Sequence, residues 1–276
     1  MKSVSLDAYT STDLLRALSR FDLRAKSFII KPNFTQLCAG TTDEASLGQL
    51  FKALTEQPHE PEVWLAEIPN VNAPPLREVI KGLGLVGIIE EYGVGVRYLD
   101  ELPPSEYEEF ASLRIPRLFL RRREGRLIVV APPKEHRFLP GGVIPSQLEP
   151  RLEGYSGVMK TLAVGVLHKD DKRKSHGVTE AIRERYGTEN LRLLWSMMTD
   201  QEKGSLREEH NRIVHQILYR VVKPGDIFIL TKRGMLGGHL NGTPVNTDRW
   251  IIGHDPRRVD ELGVRRLIEL KKSSHH

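Results

Sequence analysis

An α/β fold is what this sequence predicts, on three observations. Apolar residues recur at helical spacing in some stretches and gather in short strand-like runs in others. The two kinds of stretch alternate through the first lobe. The connections between the runs are long enough for the right-handed crossovers that a parallel sheet needs.

Taken in order, Leu14, Leu15, Leu18 and Phe21 share one helical face, and Phe28-Ile29-Ile30-Lys31 reads as the strand after it. A loop, KPNFTQLCAG, leads to a helix with Leu47, Leu50, Phe51 and Leu54 on one side, with Thr41 and Glu44 spaced as a capping box. The run Val63 to Ile68 is the next strand, and a helix around Leu76, Val79, Ile80 and Leu83 follows. A break at Gly82 and Gly84 leads into residues 87–92, and Val96 to Leu99 closes the series as a strand. Residues 1–125 are therefore expected to form a Rossmann-like lobe with a parallel sheet.

A second, more irregular α/β lobe is expected over residues 126–272, with 273–276 a tail. RLFLRRREGRLIVVAPP reads as two strands around Gly125, and HRFLPGGVIPSQLEP is too rich in Pro and Gly for regular structure. SGVMKTLAVGVL is short, apolar and glycine-punctuated. A helix from Ser205, with Glu208 completing a second capping box, puts Ile213, Val214, Ile217, Leu218 and Val221 on one face. Phe228 to Leu230 and Trp250 to Ile252 read as late strands. Asp255-Pro256 opens the last helix, an N-cap followed by proline at the first helical position.

Composition narrows the function classes. The 276 residues are 39% hydrophobic and 28% charged, ordinary for a globular chain that can bury a core. No apolar run approaches the roughly 20 residues that cross a bilayer, and MKSVSLDAYTSTDLL has no apolar segment of the secretory type. No membrane association is expected, and the cytoplasm is the expected location. One cysteine, Cys38, excludes an internal disulfide and a four-cysteine zinc or iron–sulfur site. Forty-one Lys and Arg against 36 Asp and Glu leave a net charge of +5, a mild excess that favours anionic partners without choosing among them. Arg121 to Arg123 with Arg126, and the stretch KDDKRK from Lys169 to Lys174, carry much of it. Neither is interleaved with stacking aromatics as a single-strand binder would prefer, and both read as solvated loop or strand ends.

Four places could carry chemistry. Lys31, Asn33, Thr41 and Thr42 follow the first strand of the alternating series, where open α/β sheets bind ligands and a helix start attracts anions. The alternative is that they turn the chain and cap the helix. Neither GxGxxG nor GxxxxGK[ST] occurs here. Lys160 sits in the apolar GYSGVMKT, where an ammonium needs an anion or a carbonyl cage, or else snorkels to water; with a depressed pKa it could also form a covalent link. Ten histidines show no HExxH spacing, and His210 and His215 are five apart. His176 and His136 are candidates for proton transfer near neutral pH. Finally, Asn241, Gly242 and Asp255 lie in GMLGGHLNGTPVNTDRWIIGHDPRRVD, with Asp260 beyond them; the alternative gives the glycines to turns, Asp255 to capping and Asp260 to a surface pair.

FIIKPNF with the later TTD, SGVMKTLAVG followed by a histidine, and MLGGHLNGTPVNTDRWIIGHDPRRVD resemble the family catalogued as domain of unknown function 362, from about Lys26 to Leu267. Members of that family are often joined to iron–sulfur modules, which one cysteine does not allow here. EPRLEGYSGVMK is similar, more weakly, to the lysine segment of the nickel-pincer lactate racemases. That resemblance implies Lys160 as the cofactor-attached lysine, His176 as a nickel ligand and a nickel-pincer cofactor. The sequence departs from it at Glu149-Pro150-Arg151, where the racemases place a catalytic histidine, and it has no Gly-x-His-Arg-Pro. The expectation is a small-molecule enzyme, its reaction unassigned, acting on a carboxylate or phosphate in a cleft between the lobes and open to homo-oligomer formation. Lys160, His176 and His136 would do the chemistry, and Lys31, Asn33, Thr41, Thr42, Asn241, Gly242 and Asp255 would bind the anion. The alternatives are a nucleic-acid-binding module or an inactive scaffold that uses the basic clusters.

Overall fold

A computed structural model describes residues 8–34, 40–70, 73–122, 124–135, 155–172, 174–188, 191–238 and 242–273, and for His176, Glu180, Leu191 and Arg192 the backbone alone. The strands are β1 (Tyr9–Ser11), β2 (Ser27–Lys31), β3 (Glu62–Glu67), β4 (Gly95–Tyr98), β5 (Tyr107–Phe110), β6 (Leu113–Pro116), β7 (Gly125–Ala131), β8 (Lys134–Glu135), β9 (Tyr155–Ser156), β10 (Ile227–Leu230), β11 (Arg233–Leu236), β12 (Thr243–Asn246) and β13 (Trp250–Gly253). The helices are α1 (Leu14–Leu18), α2 (Glu44–Thr55), α3 (Leu76–Gly82), α4 (Val86–Glu91), α5 (Arg117–Leu120), α6 (Val158–Gly165), α7 (Glu180–Tyr186), α8 (Leu191–Met197), α9 (Asp200–Val221) and α10 (Pro256–Ser273).

Seven strands form the main sheet in the order β1-β13-β10-β7-β2-β3-β4. The five strands from β10 to β4 are parallel, whereas β13 runs antiparallel to both β10 and β1. The α/β class is as the alternation predicts. The sheet takes strands from both sides of residue 125, however: β7 begins at Gly125 and pairs with β2 on one side and β10 on the other. A second sheet, β12-β11-β8-β9, extends beyond the ends of β7 and β10, and β5 pairs with β6 in a third.

Alternation along the strands builds the two cores. Phe28, Ile30, Val63, Leu65, Ile128, Val130, Ile227 and Ile229 face α1 to α4. Ile29, Ala66, Leu127, Val129, Phe228 and Leu230 face the other way, against α5, α6, α9 and the start of α10. A buried parallel strand must be apolar on both faces, and these runs are. β2 and β7 are neighbours whose onward connections diverge, one toward β3 and β4, the other toward β10. Their carboxyl ends thus flank a topological switch point, the place where α/β sheets open a crevice.

Three local expectations are corrected. The capping residue of α2 is Asp43, which accepts from the Ser46 amide at 2.9 Å; the Thr42 hydroxyl instead donates to the Val130 carbonyl and accepts from the Asn33 amide, both at 3.0 Å. The box on α9 is Thr199 with Glu202, so that helix starts five residues before Ser205. Residues 117–120 form a helical turn that buries Phe119, not a strand; a short apolar run does not by itself distinguish the two.

Candidate functional site

Buried lysines mark the carboxyl edge of the sheet. Lys31 ends β2 and Glu67 ends the neighbouring β3, and the two side chains meet just past the last paired residues, Ile30 and Leu65. The Lys31 ammonium donates to both Glu67 carboxylate oxygens at 2.6 Å and to the Pro32 carbonyl at 2.9 Å. Glu67 also accepts the amides of Phe34 and Ile68, at 3.2 and 2.9 Å. Both side chains are almost fully buried. Burial lowers the Lys31 pKa, opposed by the Glu67 charge beside it. This group is closed: each of its strong donors and acceptors has a partner within the chain. Asn33 and Thr42 pack next to it, and Thr41 is buried beside them.

Lys172 is a second buried amine. It donates to the carbonyls of Ile68 (a short contact) and Pro69. Burial drives its pKa down to about 7; Glu67 and Asp100 oppose the fall and Lys31 adds to it. Within the KDDKRK stretch, Asp171 and Lys172 are thus buried, while Lys169, Asp170 and Lys174 are exposed as expected of a loop tip. Asp171 accepts from Arg114 at 2.8 Å and Lys174 at 2.8 Å. Burial disfavours the Asp171 charge, but the donors from Arg114 and Lys174 together hold its pKa below the usual value.

Lys160 is different. It lies in the first turn of α6, whose Val158, Met159, Leu162, Ala163 and Val166 side of the chain packs into the second core. Its stem keeps some exposure, but the ammonium nitrogen is sealed from solvent and has no hydrogen-bond partner among the described residues. Burial alone takes its pKa from 10.5 down to about 8. The far end of the same helix closes on the first group: a Cβ at Gly165 would overlap the Lys31 ammonium, so only glycine lets α6 approach so near. Lys160 is five residues back, about 7.5 Å along the helix axis.

The start of α6 is held by Asp260, read from sequence as a surface pair. Asp260 is 2% exposed, and its two oxygens accept the amides of Val158 and Met159 at 2.7 and 3.0 Å. Burial pushes its carboxyl up to about 7, opposed by those two N–H groups. Asp255, five residues earlier, caps α10 through the Arg257 amide at 2.8 Å. Gly242 precedes β12, packed against the backbone of Leu236 and Gly238. His136 and Asn241 lie outside the described residues, as does the His176 side chain, whose backbone belongs to a single turn over Lys174–His176.

Sequence reasoning gave no role to Glu67 or Lys172, and saw Asp260 only as an available carboxylate or a surface pair. A signal existed for the last: Asp260, Gly263, Val264 and Leu267 share one helical face, and that face is buried. The arginine cluster is matched by acids: Arg121 pairs with Glu108 at 2.9 Å, Arg126 with Asp22 at 3.1 Å, and buried Arg122 with Asp226 at 2.6 Å. Among the described residues no three His, Cys, Asp or Glu come together as a metal site, and no helix is long and apolar enough to cross a membrane.

Comparison with solved structures finds lactate racemase apoprotein from Thermoanaerobacterium thermosaccharolyticum at TM-score 0.52 and 14% identity, covering 95% of this chain and 57% of that one. A protein from Thermotoga maritima matches at TM-score 0.52 and 13% identity, over 91% of this chain and 56% of its own. The likeness is one of fold. This chain spans just over half the length of either structure. No protein-family model matches it, so the resemblance to domain of unknown function 362 gains no support there, and no curated protein matches it either.

Proposed function

We propose that the chain is a small-molecule enzyme that binds an anionic substrate, a carboxylate or phosphate, against the amine of Lys160. One observation carries this reading: an ammonium is sealed from water with no protein partner among the described residues. An isolated buried charge is costly, and it is relieved by a guest anion or by loss of the proton. The site lies by the carboxyl edge of the sheet, where the fold places ligands, and the racemase fold likeness is consistent with it. Lys31, Asn33, Thr41 and Thr42 act as the floor of that edge, with the Lys31 charge answered by Glu67. His176 and His136 remain the candidates for proton transfer.

The racemase resemblance also implies a nickel-pincer cofactor joined through Lys160. The amine fits such an attachment, but the described residues bring no metal-ligand set to it, and no step of this reading runs through nickel. The nucleic-acid alternative is weakened by the carboxylates that answer Arg121, Arg122 and Arg126.

The test is thermal unfolding of untagged protein with lactate, pyruvate or inorganic phosphate, for the parent chain and for Lys160→Met. At least one anion should raise the melting temperature of the parent and leave Lys160→Met unmoved. An equal rise in both, or none in the parent, contradicts the reading.

A further inference from the structure

The helix that carries Lys160 has no cap of its own. The residue before it is Gly157, which has no side chain to offer, and the first intrahelical bond is Thr161 N–H to the Gly157 carbonyl at 3.2 Å. The amides of Val158 and Met159 would therefore be orphaned inside the protein, an expensive state for buried N–H groups. Both are answered by one carboxylate about a hundred residues later in the chain, Asp260 on α10, which uses one oxygen for each. The fit leaves no slack: a Cβ at Gly157 would overlap the Asp260 carboxylate, and Leu230 at the end of β10 packs against both Gly157 and Gly263. Lys160 is the next residue after the two amides that Asp260 holds.

From this geometry we infer that Asp260 is the positioning residue of the Lys160 amine. It fixes the start, rotation and depth of α6 from the C-terminal helix, and so sets where the ammonium lies. The carboxylate does not pair with the amine; burial alone moves the Lys160 pKa. It acts through the backbone, by accepting the two N–H groups that open α6. This makes α10 part of the site, although the Asp260 oxygens are engaged by the two amides of α6. The inference rests on the proposed role of Lys160 for its functional meaning, but the placement of the amine can be read independently of any ligand.

The experiment compares the parent with Asp260→Asn, which keeps the shape but cannot accept both amides, and with Thr199→Ala, which removes a cap from α9 away from the site. Two quantities are read: the pH midpoint for acetylation of Lys160 by acetic anhydride, followed by peptide mass spectrometry, and the affinity for whichever of lactate, pyruvate or phosphate stabilises the parent. Asp260→Asn should move the Lys160 midpoint toward that of an ordinary lysine and weaken the anion roughly tenfold or more, the scale set by a displaced binding group. Thr199→Ala should lower the melting temperature and change neither. If Asp260→Asn does not fold, Gly157→Ala, whose methyl displaces the same carboxylate, is read in the same way. A Lys160 midpoint unchanged in a folded variant overturns the inference, even where stability falls. A parent that binds none of the anions but whose midpoint moves in Asp260→Asn sinks the proposed function and leaves the positioning role standing.

Discussion

Lys31 and Lys160 both carry ammonium groups sealed from solvent, at opposite ends of one stretch of the sheet edge, and the chain treats them in opposite ways. Lys31 is met by a carboxylate, a carbonyl and the packing of Gly165, and Glu67 is in turn completed by two amides. Lys160 is given a fixed helix, a remote cap and no hydrogen-bond partner among the described residues. The first arrangement spends its hydrogen bonds on the fold. The second leaves a cation's demand open, which is how a binding group differs from a structural one.

The comparison can be broken first at its closed end. Glu67→Gln should destabilise the protein by about 3–5 kcal/mol, because it strands the Lys31 ammonium in the interior. Replacing both, as Lys31→Met with Glu67→Leu, should recover most of that loss in chemical unfolding. A small effect of the single change would show that water reaches the pair.

At the open end the sign reverses. Lys160→Met removes a buried charge that none of the described residues answers, so it should stabilise the unliganded protein. The distance from 10.5 to about 8 sets the scale, about 3 kcal/mol. Below the folded value both states hold the proton and the parent bears the full penalty. As pH rises from about 8 toward 10.5, the folded amine is neutral while the unfolded one still binds a proton, so the parent gains stability and the advantage of Lys160→Met fades. Unfolding by denaturant at neutral and alkaline pH checks this; a destabilised Lys160→Met at neutral pH would mean that the ammonium has a partner after all.

Two smaller effects sharpen the contrast with ordinary surface and capping features. Thr199→Ala should cost about 1 kcal/mol through loss of the α9 capping box. Arg121→Gln should change stability by less than about 1 kcal/mol, as exposed ion pairs do. It should also leave anion binding unaltered in a titration; a large loss there would return weight to the basic cluster.

Much of the fold was legible because its signals are local. Phe28 to Ile30, Val63 to Ala66 and Phe228 to Leu230 are continuous apolar runs, as strands buried on both faces must be, and Asp255-Pro256 marks a helix start within two residues. The departures come from contacts that link distant parts of the chain. Thr42 is taken by the Val130 carbonyl, so the cap moves to Asp43. The main sheet sets β7 between β2 and β10, and nothing local announces that pairing. Lys160 could be singled out because an ammonium amid apolar residues is conspicuous in any register. Glu67, Lys172 and Asp260 could not be paired from sequence, since their partners are 36, 104 and 102 residues away.

The most direct measurement is the titration of the Lys160 amine itself, followed by NMR of the side chain without and with a carboxylate or phosphate. A midpoint near 8 is expected in the free protein, rising when the anion is bound because its charge favours the protonated form. A midpoint at the ordinary lysine value, insensitive to every anion offered, would contradict this.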